Sequence, residues 1–383
     1  MNAPMNTTQN HADVVVVGSG IVGLGAAYAA VRRGLRVIVV DRTDAPVGAT
    51  IRNFGHLCIG AQSGEARRYA DTSRELWLRL SHDAGFWLRE SGTLVAARHD
   101  DEIAVLEAAT RDGGMRMLAA DELLRLAPLR AEGLVGGAHI ETDLQTDPRS
   151  AAGAIVRHLM SLGVEFRFRT AVTAVTTGIV ETSRGSITAG SIVVAVNHDV
   201  DQLLPEIAER RGVVRCSLDM MRVAVSLPRP LGAPLLTGWS LLRYGRFTGG
   251  PEATALRERL HSERPDLAAL DLNQMYTQLL DGTLIVGDSH VTAVAPSPFQ
   301  PEAAFAAFLT EAEELFEMPA PRVLERWQGV YAKGPGEFVI ESDIPGVLVL
   351  AATSGIGMTT GLGLAEENLT ATFGWTPAME GTS

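Results

Sequence analysis

Asp13-Val14-Val15-Val16-Val17-Gly18-Ser19-Gly20-Ile21-Val22-Gly23 decides the fold of this 383-residue chain. Val14 to Val17 is a β-branched run, too short for a helix and apolar on both faces, as a central strand of a parallel sheet must be. It ends in a G-x-G-x-x-G turn, and the Ala- and Leu-rich segment that follows reads as a helix to Arg33, closed by Gly34. Arg36-Val37-Ile38-Val39-Val40 is a second strand and ends at Asp41. Strand, glycine turn, helix and strand make a βαβ unit with a dinucleotide fingerprint. Gly18 permits the tight turn, Gly20 lets backbone amides reach a pyrophosphate, and Gly23 lets helix and strand pack closely. The helix start at Ile21 and Val22 turns its partial positive charge to the phosphates. Asp41, 18 residues after Gly23, can accept both ribose hydroxyls, which argues against a 2′-phosphate and so against NADP. Arg42 follows it. NAD and FAD proteins share this fingerprint.

Outward from the motif, Glu65 to His82 has helical spacing, with Tyr69, Leu76, Trp77 and Leu80 on the side that would cover the sheet. Phe86 to Ala97 alternates like a strand, Asp101 to Ala109 and Asp121 to Leu126 read as helices, and Pro148 to Leu162 is a helix started by Asp147. Short strands fill Phe166 to Val194, and Ile192 to Val196 is apolar enough for the parallel sheet. Val213 to Leu227, Trp239 to Tyr244, Gln274 to Leu280 and Thr283 to Gly287 alternate as antiparallel strands with one covered face. Pro301 to Phe316 is a helix and Arg322 to Tyr331 a strand. Val347 to Leu350, the turn Thr353-Ser354-Gly355-Ile356-Gly357-Met358 and a helix to about Leu369 repeat the opening pattern. Both ends of the chain are thus expected in one sheet. The fold class is α/β (α+β overall): a Rossmann-like domain with a mostly parallel sheet, plus a substrate domain with a mostly antiparallel one. The expected boundaries are 12–90, 140–222 and 330–374 for the first, 91–139 and 223–329 for the second, and flexible tails at 1–11 and 375–383.

Composition narrows the function. Hydrophobic residues make up 46% and charged residues 20%, too apolar a balance for a disordered chain. The net charge of −12 argues against nucleic acid as a partner. No run reaches the roughly 18 apolar residues of a membrane helix, and Met1 to His11 lacks the pattern of a signal peptide. A soluble, cytoplasmic protein is expected. Cys58 and Cys216 are the only cysteines, with no spacing for a disulfide framework or a metal site. Of the 33 basic residues all but Lys333 are Arg, which marks Lys333 as a place where a compact ammonium is wanted.

The opening βαβ unit, Gly48-Ala49-Thr50-Ile51-Arg52-Asn53-Phe54-Gly55, Ile192 to Val196 and Gly355-Ile356-Gly357-Met358 with Gly361-Leu362-Gly363-Leu364-Ala365-Glu366-Glu367 together resemble the D-amino-acid oxidase (DAO) family of FAD-dependent oxidoreductases. The resemblance implies FAD, held by Gly18, Gly20, Ile21, Val22, Gly23, Asp41, Arg42, Thr50, Asn53, Phe54, Gly55, Gly355, Ile356, Gly357 and Met358. It also implies oxidation of an amine C–N bond by hydride transfer to flavin N5. Arg52 stands where relatives with covalent flavin carry a His, so the resemblance implies non-covalent FAD. Ile285, two residues before Gly287, stands where sarcosine-oxidase-like relatives carry an oxygen-activating Lys, which leaves oxygen or another electron acceptor open. Arg52 to Gly55, Ser73-Arg74-Glu75-Leu76-Trp77, Arg215 to Arg222, Leu242-Arg243-Tyr244-Gly245 and Trp327-Gln328-Gly329-Val330-Tyr331-Ala332 are similar to a subgroup tied to aminophosphonate breakdown. Its members oxidise N-methylated or 1-hydroxylated 2-aminoethylphosphonate to phosphonoacetaldehyde.

Such a substrate sets two demands. An alkylammonium with a pKa of about 10.4 is neutral about one time in a thousand near pH 7.4, a cost of roughly 4 kcal/mol. His56 or Tyr244 could relay its proton, and burial over the flavin would lower the amine pKa. A phosphonate carries about −1.5 to −2 charges by analogy with a phosphate ester and needs at least two cations. Arg52, Arg243 and Lys333 are the candidates, with Tyr244 and Tyr331 as hydrogen-bond donors. Trp239, Trp327, Met220 and Met221 read as core, and both cysteines as inert. A glycine, sarcosine or D-amino-acid oxidase is the alternative chemistry, and a non-catalytic FAD-binding protein the alternative class.

Overall fold

The computed structural model describes residues 10–375. In chain order, the elements that position the site are β1 (His11–Val17), α1 (Ile21–Val31), β2 (Val37–Val40), α2 (Gly64–Ala84), α3 (Pro148–Ser161), β3 (Ile187–Val194), β4 (Val214–Ala224), β5 (Met275–Gln278), β6 (Leu284–Ala293), β7 (Arg322–Glu341), β8 (Val347–Ser354) and α4 (Gly357–Phe373). Of the expected tails, His11 already belongs to β1 and Trp375 packs on Phe373. The rest of both tails, 1–9 and 376–383, lies outside the described residues. No helix among the described residues is long and apolar enough to cross a membrane.

β1 is a central strand for the reason its composition gives. Val14 and Val16 pack into one core, Val15 and Val17 into another on the opposite face, so neither face can tolerate a polar residue. Parallel pairing sets the order β8-β3-β1-β2, with Glu165–Arg167 beyond β2. The two ends of the chain meet there, because β1 and β8 both flank β3. α3 starts as its sequence demands: Pro148 occupies the first turn and Asp147 accepts a hydrogen bond from Arg149 N.

The antiparallel strands expected of a second domain continue the first sheet, and a small three-stranded sheet of His56–Leu57, Leu144–Thr146 and Leu88–Arg89 stands apart. A single 15-stranded sheet runs on from β8 through β7, β4, β6 and β5 to the strands between 93 and 140. The cause is β7, a 20-residue strand that pairs antiparallel with β4 over its first part and with β8 over its last. The break between these two pairings falls at Gly334-Pro335-Gly336, where register shifts between Lys333 and Phe338.

Four local expectations are corrected. α2 lies against α4 more than on the sheet: Gly363 N donates to Ser73 Oγ at 2.7 Å and Trp77 Nε1 to Met358 O at 3.0 Å. Trp239 to Tyr244 is not a strand but part of a 3-10 turn over Gly238–Leu242, held by the Thr237 and Ser240 hydroxyls on Gln274 O. Trp239 and Leu241 are both buried, which imitates strand alternation. Phe86 to Ala97 divides into Leu88–Arg89 and Thr93–Ala97 around Gly92, whose φ is +63°. The helix Pro251–Glu263 is absent from the sequence reading.

Candidate active site

The fingerprint turn, the 48–53 loop and the start of α4 wall one cavity of about 520 Å³. Gly23 does not line it, and its role is spatial: a Cβ there would stand 2.0 Å from Gly18 O, so only glycine lets α1 leave the strand at this angle. At one end Asp41 is fixed by four donors. Ser19 N and Oγ donate to its Oδ2 at 2.7 and 2.6 Å, and Thr43 N and Oγ1 to its Oδ1 at 2.9 and 2.8 Å. A ribose hydroxyl would take the place of one of these side-chain hydroxyls. Arg42, placed with the nucleotide by sequence, donates from Nη2 to Asp199 Oδ2 at 2.5 Å, across the cavity mouth.

The loop after β2 is tied down by its own side chains. Ile21 N donates to Thr50 Oγ1 at 2.8 Å, Asn53 Nδ2 donates to Ala49 O and Thr50 O, and Gly55 N donates to Asn53 Oδ1. Thr50, Arg52 and Asn53 line the cavity, whereas Phe54 and Gly55 sit behind it, with Phe54 O accepting from Thr277 Oγ1 at 2.8 Å. Gly355 lines it from the turn before α4, and Gly357 and Met358 from the start of α4, while Ile356 does not. Two helix N-termini therefore face one cavity, a donor-rich setting that fits a cofactor with a pyrophosphate and a second electron-rich group.

Sequence reasoning missed the wall formed by Asn197, His198 and Asp199. Asn197 has φ +58°, and its Oδ1 accepts from Ala332 N at 2.8 Å, clamping the end of β3 to β7. An Asn directly after a buried strand was the available signal. Burial lowers the pKa of His198, against the opposing pull of Asp199.

At the other end the cavity wall is the face of β7 and β4. Gly329, Val330 and Tyr331 line it from β7, and Lys333, two residues beyond Tyr331 on the same strand face, does not. Gly329 is opposite Leu218, and a Cβ on Gly329 would stand 3.0 Å from Arg52 O. That contact seats the loop on the sheet. Arg52 is exposed and donates from Nη1 to Gln328 O at 3.1 Å. The Lys333 ammonium has no hydrogen bond or ion pair among the described residues, its backbone pairing with β4 and β8 aside. Arg243 differs: its Nη1 meets Asp271 Oδ1 at 2.7 Å, so its charge is already matched.

Tyr331 and Tyr244 are phenols whose pKa values burial raises well above the ordinary 10. Both remain protonated and act as donors, which makes Tyr244 unsuited to taking a proton. His56, the other relay expected from sequence, is turned away. Its Nε2 lies 2.6 Å from Thr93 Oγ1 and 3.2 Å from Asp143 Oδ2, and its Nδ1 lies 3.2 Å from Met275 Sδ. Neither nitrogen is open to a substrate, so the ring serves to join two parts of the core. Cys58 is buried, and burial pushes its thiol up to about 12.

The family model described as "FAD dependent oxidoreductase" (DAO) matches residues 13–369. Among curated relatives, the glycine oxidase of Bacillus licheniformis is 26% identical over 166 residues, covering 40% of this chain and 44% of that one. The chain spans about half the length of the curated relatives it matches first. Among solved structures, glycine oxidase from Geobacillus kaustophilus superposes with a TM-score of 0.74 at 19% identity, covering 94% of this chain and 95% of that one. L-alpha-glycerophosphate oxidase from Mycoplasma pneumoniae, solved with FAD bound, superposes at 0.74 with 18% identity, covering 96% and 95%. Since the matched span 13–369 takes in every wall of the cavity, from the fingerprint turn to the start of α4, the agreement is with the whole site: the chain belongs to the DAO family of FAD-dependent oxidoreductases.

Proposed function

We propose that this enzyme oxidises the C–N bond of a small aminophosphonate: the imine formed from N-methyl-2-aminoethylphosphonate takes up water to give phosphonoacetaldehyde and methylamine, and that formed from 1-hydroxy-2-aminoethylphosphonate gives the corresponding 1-hydroxy aldehyde and ammonia. Bound FAD, held non-covalently, supplies the two-electron acceptor, with oxygen or another carrier regenerating it. FAD is assigned to 12–90, 140–222 and 330–374, and the substrate to 91–139 and 223–329 together with the adjoining face of β7.

One observation carries the reading. Arg52 and Tyr331 line the cavity, Lys333 follows Tyr331 two residues on along the same face of β7, and neither cation has a carboxylate partner among the described residues. Two unmatched cations and a phenol donor suit a group with two negative charges and three acceptor oxygens. Arg243, matched by Asp271, contributes orientation more than charge.

The competing reading is oxidation of glycine, sarcosine or a D-amino acid, favoured by the amino-acid-type substrates in relatives' names. A carboxylate needs one bidentate Arg, and Lys333 would then have no task. Anaerobic titration with N-methyl-2-aminoethylphosphonate, sarcosine and D-alanine, followed by flavin absorbance, separates the two. Bleaching by the phosphonate at the lowest concentration is expected. Bleaching by the carboxylates alone would sink the phosphonate assignment, and a flavin that no amine reduces would favour a non-catalytic role.

A further inference from the structure

The substrate end of the site has a second pole, opposite in sign to the first. β4 pairs Leu218 with Gly329 of β7 on one side and with His290 of β6 on the other. Gly329 and Leu218 line the cavity, so His290 continues the same sheet face. Asp288 joins it there, its Oδ2 lying 3.3 Å from His290 Nε2. Asp288 is only 4% exposed and Asn273 5%. Their backbones exchange hydrogen bonds, Asn273 N to Asp288 O at 2.8 Å and Asp288 N to Asn273 O at 2.7 Å. Asn273 Nδ2 also donates to Asp288 Oδ1 at 3.0 Å.

That arrangement leaves acceptors short of donors. The Asn273 amide lies beside the Tyr244 phenol, yet its Oδ1 is buried without a hydrogen-bond partner, and buried amide oxygens in folded proteins are almost always paired. Beside it stands a carboxylate whose ion-pair partner among the described residues is His290, itself 3.0 Å from Asp271 O through Nδ1. A buried carboxylate and an orphan carbonyl oxygen, side by side and next to the His290 that continues the sheet face of Leu218 and Gly329, call for a ligand with several N–H donors and a positive charge.

We propose that Asp288, held in place by Asn273, receives the substrate's ammonium group and takes its proton, with Asn273 Oδ1 accepting a second N–H. This rests on the amine-oxidoreductase reading above and assigns it the base that His56 and Tyr244 do not supply. The step balances simply. One N–H bond breaks, an O–H bond forms on Asp288, and the electron pair stays on nitrogen as the lone pair that C–H oxidation requires. The titratable and charged groups facing Asp288 are His290 on its own strand, Asp271 behind His290, Arg243 and Tyr244 from the turn before Gly245, and Tyr331 from β7. Arg243 is spoken for by Asp271 and both phenols stay protonated, which leaves His290, its Nε2 3.3 Å from Asp288 Oδ2, as the neighbour to which Asp288 can pass the proton on.

The test compares the FAD-loaded wild type with Asp288→Asn, which keeps the size and the acceptor for Asn273 Nδ2. Anaerobic flavin reduction is followed from pH 7 to 10 with N-methyl-2-aminoethylphosphonate, sarcosine and D-alanine. At pH 7.5 the variant should need roughly 100-fold more of whichever amine reduces the wild type. That deficit should shrink about tenfold for each pH unit as free amine becomes available in solution. Ethylphosphonate, which lacks the amine, should perturb the flavin spectrum equally in both. If the variant is reduced as readily as wild type at pH 7.5, or if its deficit is the same at every pH, the proposal falls. Should sarcosine or D-alanine be the amine that reduces the wild type, the phosphonate reading fails while the same pH comparison still judges Asp288. If Asp288→Asn does not retain FAD, Asp288→Ser removes the carboxylate by a different change and faces the same criteria.

Discussion

The two ends of the cavity are built by different rules. At the nucleotide end, Gly18, Ser19, Ile21, Asp41, Thr43 and Thr50 lie within 33 positions of one another, and backbone geometry does most of the work. At the proposed substrate end, Asp288, Tyr331 and Lys333 come from distant segments brought together by strand register, and Arg52 from the loop seated against Gly329. A local site is specified by spacing and fails when its backbone is disturbed. A register-built site is specified by the whole sheet, and its side chains can be changed one at a time without unmaking it.

The largest effect expected from this contrast is at Gly23. Gly23→Val places carbon atoms against Gly18 O, which a single Cβ would already approach to 2.0 Å. Overpacking of this kind costs about 1–3 kcal/mol or more, and here it displaces the turn itself. The purified variant should carry no flavin by absorbance, and flavin binding at wild-type strength would break the comparison. Next comes the double replacement Arg52→Met with Lys333→Met. Charge-assisted hydrogen bonds are worth about 1.5–3 kcal/mol each, so kcat/KM for the phosphonate should fall by roughly two to four orders of magnitude. FAD content should not change. Loss of FAD from this double variant would mean that the two ends are not separable.

A smaller loss is expected for Tyr331→Phe. A neutral donor contributes about 1 kcal/mol, a several-fold rise in KM with kcat held, read from steady-state kinetics. The smallest effect concerns His198 at the nucleotide end. Burial lowers its pKa below the ordinary 6.5, so the unfolded chain binds the proton more readily than the folded one. Its contribution to stability is complete above pH 6.5 and is lost as pH falls through the lowered value. Holoprotein melting temperature should fall between about pH 7 and 5, and His198→Gln should remove a part of that fall on the order of 1 °C. An unchanged pH dependence in the variant would place the acid sensitivity elsewhere.

Legibility followed the same divide. The βαβ unit, the helix begun by Asp147 and Pro148, and the meeting of both chain ends in one sheet could be read directly, because each depends on neighbours a few residues apart. Trp239 to Tyr244 reads wrongly as a strand because two buried residues at i and i+2 serve a tight turn equally well, and only the Gln274 carbonyl distinguishes them. The continuous sheet escapes the sequence because the Gly334-Pro335-Gly336 break suggests an end, while the pairing partners beyond it are supplied by the far C-terminus. His56 looks reactive from its place after the loop, yet Asp143 and Thr93, which hold it, lie some distance along the chain. Asp288 carries no local signal at all. Its proposed role comes from His290, which it touches and which Leu218 links across the sheet to Gly329.

Lys333 pairs with Val214 of β4 on one side and with Ser354 of β8 on the other. It therefore sits at the point where β7 passes from one part of the sheet to the next. A strand shared in this way is a splint. The parts of the sheet on its two sides, β4 with β6 and β8 with β3, cannot swing apart about a hinge without tearing out its hydrogen bonds.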